Sequence, residues 1–299
     1  MSLRIWIWLL SLSVLWGGSF FFAKVALAEL APLTVVFCRV ALAALALNLA
    51  LAATGRNLFR AEAPFRCYAA MGFLNNLIPF GLIFWGQTQI ESGLASILNA
   101  TTPLFTLLVA HFIAHDERIG GLKLAALVIG IGGVAVLMGP EAIGSSRGIA
   151  GQIACLGAAL SYAFAGVYGR RFATMGVAPL EAAAGQVTAS AMLILPVMLI
   201  VDRPWLLPAP PGATTLAALA SLALLSTALA YVLYFRILAV AGATNLLLVT
   251  FLIPVTAILL GALVLGERLA PRHFAGMTLI GLSLTAIDGR IRRFLRLAK

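Results

Sequence analysis

Charge is what this chain has least of. Asp, Glu, Lys and Arg together make up 10% of its 299 residues, against about 25% in soluble domains. A chain so poor in charge cannot cover a water-facing surface. Acidic residues number only ten against twenty basic ones, and none falls at the middle of an apolar stretch. An embedded-carboxylate proton relay is therefore absent from the reading, and facilitated diffusion or exchange is the more economical mechanism for any transport. Cysteines are few: Cys38, Cys67 and Cys155 lie singly and too far apart for a disulfide framework. No Cys-x-x-Cys spacing and no phosphate-cradling glycine loop occurs, so no metal, no cofactor and no direct ATP drive by this chain is expected. His111 and His115 beside Asp116 are the one arrangement that would suit an intramembrane acyltransferase, kept as a minor alternative.

What fills the chain instead is apolar. Hydrophobic residues reach 62% and mean hydropathy is +1.07. Charge-free runs such as Ile5–Ala23, Cys67–Ile90, Ser92–Ala114 and Ile237–Gly266 recur along its length. Each is long enough for a helix to cross hydrocarbon, which takes roughly 20 residues. Strand-like alternation is missing, which argues against a membrane barrel. The expectation is an all-α integral membrane protein of ten spans, near 5–27, 32–53, 67–88, 93–114, 121–139, 149–169, 179–201, 213–235, 243–265 and 272–289. The N-terminus mimics a secretory signal, with Arg4 before an apolar run and Ala26-Leu27-Ala28 as a cleavage-like site. The run outlasts a signal core and Lys24 interrupts it, so a retained first helix is expected.

The basic residues give an orientation rather than a nucleic-acid surface. With ten spans and an inside N-terminus, Arg4, Arg56, Arg60, Arg66, Arg118, Lys123, Arg170, Arg171, Arg236 and the tail Arg290, Arg292, Arg293, Arg296 and Lys299 fall inside. Only Lys24, Arg147, Arg203, Arg268 and Arg272 fall outside, and Arg39 lies within the second span. That bias places both termini in the cytoplasm. The partners expected are a small-molecule substrate and membrane lipid, with the chain as a monomer or homodimer. Trp6, Trp8 and Trp205 sit near predicted interfaces and read as belt residues.

The sequence also repeats itself. Asn99-Ala100-Thr101-Thr102-Pro103-Leu104 leading to Asp116-Glu117-Arg118 recurs as Thr250-Phe251-Leu252-Ile253-Pro254-Val255 leading to Gly266-Glu267-Arg268. Trp16-Gly17-Gly18-Ser19, then Lys24 and Ala31-Pro32-Leu33, match Tyr162-Ala163-Phe164-Ala165, then Arg170 and Ala178-Pro179-Leu180. The offset stays between 146 and 151. Five spans in each half, 1–145 and 146–299, make the second half an inverted copy of the first. Such folds hold their substrate near the midplane between the halves.

In these features the chain resembles the drug/metabolite transporter superfamily, specifically the ten-helix EamA-type exporters. The residues that carry the resemblance are Trp16 to Ser19, Ala31-Pro32 with Arg39, and the two Pro-to-Glu blocks, Pro103 to Glu117 and Pro254 to Glu267. Within the family it looks most like inner-membrane exporters of amino acids, in particular the YddG-like aromatic amino acid exporters. The resemblance implies export across the cytoplasmic membrane by alternating access. Export of organic cations on the same fold is the alternative, since aromatic faces also accept cations.

Polar and aromatic residues inside spans are the candidate substrate contacts. They are Trp16 and Ser19, Asn76 and Phe80, Asn99 and Thr102, Tyr162, Thr227 and Tyr231, and Asn245 and Thr250. Asn75, Thr106 and Ser226 lie among them, and helix–helix bonding is the bland reading for any one. Pro79, Pro103 and Pro254 each remove a backbone donor in mid-span and read as hinges or static kinks. Gly130, Gly132, Gly133, Gly276 and Gly281 are expected to permit close helix contact. For Arg39 a structural role is favoured, snorkelling or pairing with Glu29 or Glu181, over contact with a substrate carboxylate. Glu117 and Glu267 are expected to cap helix ends on opposite faces.

Overall fold

The computed structural model describes residues 2–58, 63–114, 120–139, 146–246 and 248–287. Among them the regular structure is helical, with no strand. The helical stretches are α1 Leu3–Ala26, α2 Pro32–Ala53, α3 Phe65–Gln87, α4 92–114, α5 Gly121–Met138, α6 Ser146–Thr174, α7 Pro179–Val201, α8 213–246, α9 Val249–Val264 and α10 Pro271–Ile287. Eight, α1 to α8, contain helix long and apolar enough to cross a membrane, and α9 is a shorter apolar helix. Glu117, the His115-Asp116 pair and the basic tail fall outside the described residues.

Proline sets several starts. Pro32 and Pro179 occupy the first turns of α2 and α7, where the missing N–H has no intrahelical partner to lose. The helices bundle in pairs: α2 on α7, α5 on α10, α1 on α9, and α6 on both α3 and α4. The outer surface is apolar, with Leu49, Ile200 and Leu263 more than 60% exposed. In water that surface would be unstable; in lipid it is the solvated face. This is a multi-pass membrane protein.

Glycines fix the closest crossings. A Cβ at Gly133 would lie 2.9 Å from Leu279 Cβ and 3.0 Å from the Gly276 carbonyl, and one at Gly276 would lie 2.7 Å from the Gly133 carbonyl. So α5 and α10 meet backbone to backbone, and Gly130 packs on Leu104 and Ser283. Gly132 and Gly281 depart from expectation: both face open space. They lie one position off the packed stripe, so the helix turn carries them outward.

Three spans are irregular. In α3, residues Phe73–Leu77 form a π-helical segment, and in α8 Ser221–Leu229 do the same; at the repeat offset of 151 the first falls on 224–228, within the second. In α4 the helix Ser92–Asn99 breaks at Ala100-Thr101 and resumes as Thr102–Val109, ending in a π segment Ala110–Ala114. Each irregularity frees carbonyls that hydrocarbon cannot satisfy. Ser161 Oγ on α6 donates to the Leu74 carbonyl at 2.6 Å; in i→i+5 geometry that carbonyl would face Pro79, which has no N–H. Thr102 Oγ1 donates to the Asn99 carbonyl at 2.7 Å, the acceptor that Pro103 leaves empty. Pro254, by contrast, lies inside the continuous helix α9.

One boundary moves. Helix α8 runs on to Leu246, because the Ala-rich stretch after Arg236 contains no breaker strong enough to stop it. The ninth helix therefore starts at Val249, and Asn245 belongs to the tail of α8.

Candidate functional site

At one end of the bundle, loop charges cap helices of other elements. Glu267 accepts from Ser92 N at 2.8 Å, Ser92 Oγ at 2.8 Å and Gly93 N at 3.2 Å, closing the start of α4. Asp202 accepts from Thr34 N at 2.6 Å and Thr34 Oγ1 at 2.9 Å at the start of α2. Glu29 accepts from Gly212 N at 2.7 Å beside the start of α8. Lys24 Nζ donates to the carbonyls of Gln87 and Ile90, at 2.6 and 2.8 Å, where α3 ends. Each pairing puts charge where a helix terminus is short of a partner of that sign. They also use up Glu29, one of the two carboxylates that Arg39 was expected to find.

Arg39 sits on α2, three to four residues from the helix centre, which is about 5 Å at 1.5 Å per residue. It is 5% exposed. The guanidinium lies over the Phe80 ring at 3.9 Å, and Phe80 stacks with Phe84 at 6.1 Å. Its Nε donates to Thr227 Oγ1 at 3.0 Å, and Nη1 donates to Ser19 Oγ at 2.9 Å. Tyr162 and Tyr231 are close enough to feel its charge. Glu29 is engaged at Gly212, and Glu181 accepts from Tyr68 Oη at 2.6 Å. Among the described residues no carboxylate pairs with Arg39, so neither expected ion pair forms. A charged group at the centre of a span costs roughly 2.5–3.5 kcal/mol on insertion scales. The aromatic face offsets about 2 kcal/mol when desolvated.

Around this cation the structure gathers five of the residues picked out by sequence, Ser19, Phe80, Tyr162, Thr227 and Tyr231. Ser19, Phe80 and Thr227 touch it directly. Tyr231 is half-buried, and Asn75 Nδ2 reaches both its hydroxyl at 3.4 Å and Gln186 Oε1 at 3.0 Å. Trp16 leans on Tyr234, ring centroids 5.7 Å apart, and Tyr162 is half-buried. Half-buried polar and aromatic groups on α3, α6 and α8, with the buried Ser19 of α1, thus lie around one buried charge. Asn99 ends the first part of α4 with its Oδ1 buried and unpartnered, an acceptor left open. Thr102 is half-buried beside the break; Thr250 is half-buried on α9.

Asn76 departs from the set. It is fully buried, and its Nδ2 donates to Ser190 Oγ on α7 at 2.9 Å. The π segment rotates the chain so that Asn75, not Asn76, joins the ring. Asn75 and Arg39, weighed in the sequence but not chosen as contacts, belong to the ring, as do Phe84 and Gln186. A polar pair at adjacent positions and a lone mid-span cation were the available signals. The side chain of Asn245 lies outside the described residues. A separate apolar crevice of about 500 Å³, between the first half of α1 and α8, is lined by Leu10, Val14, Leu229, Val232 and Arg236 among others. It opens to the lipid face and holds none of these groups. No metal-type cluster of His, Cys, Asp or Glu occurs among the described residues.

Known proteins give this arrangement a context. The chain is 26% identical to the uncharacterized transporter YoaV of Bacillus subtilis, over 93% of this chain and 94% of that one. It is 27% identical to a probable amino-acid metabolite efflux pump of Salmonella typhimurium, over 95% of each. It is also 27% identical to the uncharacterized inner membrane transporter YedA of Escherichia coli, over 91% of this chain and 86% of that one. A crystal structure aligns with 95% of this chain and 97% of its own at a TM-score of 0.68, with 18% identity, a likeness of fold alone. One family matches over both halves, residues 3–139 and 149–287, and with that the chain belongs to the EamA-like transporter family.

Proposed function

We propose that the chain is a secondary transporter that exports amino acids, aromatic ones included, and related small metabolites across the cytoplasmic membrane. In this reading α1 to α10 all span, as two inverted halves, 1–145 and 146–299, with both termini cytoplasmic. The two family matches support the division. So does the packing: α1 on α9 is the counterpart of α6 on α4, α3 on α6 that of α8 on α1, and α2 on α7 and α5 on α10 are self-paired. The π segments of α3 and α8 fall at equivalent places. Alternating access is then the exchange of the two halves' arrangements about a site at their junction.

The observation that carries the reading is the ring of aromatic and amide groups around Arg39. A partly apolar zwitterion needs apolar faces for its side chain, a donor fork for its carboxylate and an acceptor for its ammonium. Phe80, Tyr162 and Tyr231 offer the first and Arg39 the second; Asn99 Oδ1, a buried acceptor without a partner on α4, is proposed for the third. The test is counterflow: purified protein in liposomes preloaded with an unlabelled amino acid, with uptake of the labelled one followed across a panel. Uptake of unchanged label supports a carrier. No uptake of any amino acid, or a new chemical product, overturns it.

A further inference from the structure

We infer that Arg39 is the specificity-determining receptor for a substrate carboxylate, so that the transported molecule is an anion or zwitterion and organic cations are refused. The inference rests on the exporter reading and goes beyond it by naming the group that must be present on the substrate.

The bundle holds an unbalanced charge. Arg39 is a permanent cation, 5% exposed and near the middle of its span. Its contacts are neutral: the hydroxyls of Ser19 and Thr227 and the faces of Phe80 and Phe84. Guanidinium carries five N–H donors, and two are engaged by protein. No described residue accepts from Nη2, so the outer edge of the fork remains for a ligand with two oxygens, the geometry a carboxylate fits in bidentate fashion. Phe80 and the two hydroxyls hold the plane of the group, so little side-chain freedom is lost when the ligand binds. A purely structural arginine would be built with its counter-ion. Here Glu29, Asp202 and Glu267 are committed to helix ends and Glu181 to Tyr68 instead.

The repeat sharpens the point. The position equivalent to Arg39 in the second half is Gln186, which accepts from Asn75. One half therefore offers a cation and the other a neutral amide, so a zwitterion has one orientation of its carboxylate. An organic cation would meet the same low-dielectric surroundings with its charge opposed by that of Arg39, which weakens any attraction to the aromatic faces.

The experiment uses full-length protein in liposomes, with a panel of labelled amino acids, their carboxamides, and tetraphenylphosphonium as an organic cation. For the parent, amino acids are taken up, while carboxamides compete on the order of a hundredfold more weakly. Arg39→Gln loses that discrimination and raises KM for the amino acid by a similar factor, whereas Arg39→Lys keeps part of it. If amino acids move but carboxamides compete equally in the parent, the role of Arg39 falls and the exporter reading stands. The parent result needs no variant to fold. If Arg39→Gln is folded and keeps both KM and discrimination, the role falls as well. If only tetraphenylphosphonium moves, or nothing in the panel does, both readings fall.

Discussion

Replacing Glu267 by Ala is expected to destabilise the protein through α4 alone, by an amount that can be worked from the contacts. The carboxylate accepts from two backbone N–H groups of the first turn and from Ser92 Oγ. Loss of an N-cap costs about 1 kcal/mol, and loss of a negative charge at a helix start costs about 0.3–1 kcal/mol. Ser92 is fully buried, so its hydroxyl is left without its acceptor, at about 1–3 kcal/mol. Together these amount to about 2–5 kcal/mol. Glu267→Gln keeps one oxygen but turns an N–H toward donors, and is expected to lose about half of that. Gly261→Ala is an independent route to the same defect, because a Cβ there would run into Glu267 Oε2. Thermal unfolding of detergent-purified protein is the assay, with a shift of about 2–4 °C per kcal/mol by analogy with soluble domains. The order parent, Gln, Ala is the prediction. A Glu267→Ala variant that melts with the parent refutes the capping argument.

Tyr231→Ala is expected to lower transport while leaving the melting temperature nearly unchanged, whereas Asn76→Ala is expected to leave KM unchanged, because its amide is turned to Ser190; KM and melting curves measured side by side decide this. Gly133→Ala is expected to destabilise by about 1–3 kcal/mol through overpacking, and Gly132→Ala to be neutral or stabilising by up to about 1 kcal/mol; equal melting temperatures for the two would contradict the close crossing of α5 and α10. Thr102→Val is expected to strip the Asn99 carbonyl of its donor and lower the melting temperature, and adding Pro103→Ala, which returns an N–H, is expected to recover it.

Much of this was legible in the sequence for plain reasons. Long apolar runs between charges and Pro-initiated starts mark α2 and α7 to the residue. The Pro103 and Pro254 repeat led to Ser19, Phe80, Thr227 and Tyr231, all of which lie at or near Arg39. What was not legible turns on local geometry. A π segment widens one turn without changing hydropathy, so the exchange of roles between Asn75 and Asn76 leaves no trace in the pattern. Gly132 and Gly133 are alike in composition, yet only the packed stripe tells them apart. The expected partners of Arg39 were Glu29 and Glu181, and only the fold reveals that Gly212 at the start of α8 claims Glu29 while Tyr68 claims Glu181. Asn245 was misplaced because nothing in an Ala-rich stretch announces that α8 continues.

The central claim is that an amino acid passes unchanged through the bundle. Counterflow in liposomes containing only this protein tests it most directly. Liposomes preloaded with an unlabelled amino acid are expected to accumulate the labelled form transiently, empty liposomes are not, and the label is expected to be recovered chemically unaltered. No accumulation with any amino acid, or recovery of the label as a different compound, would contradict it.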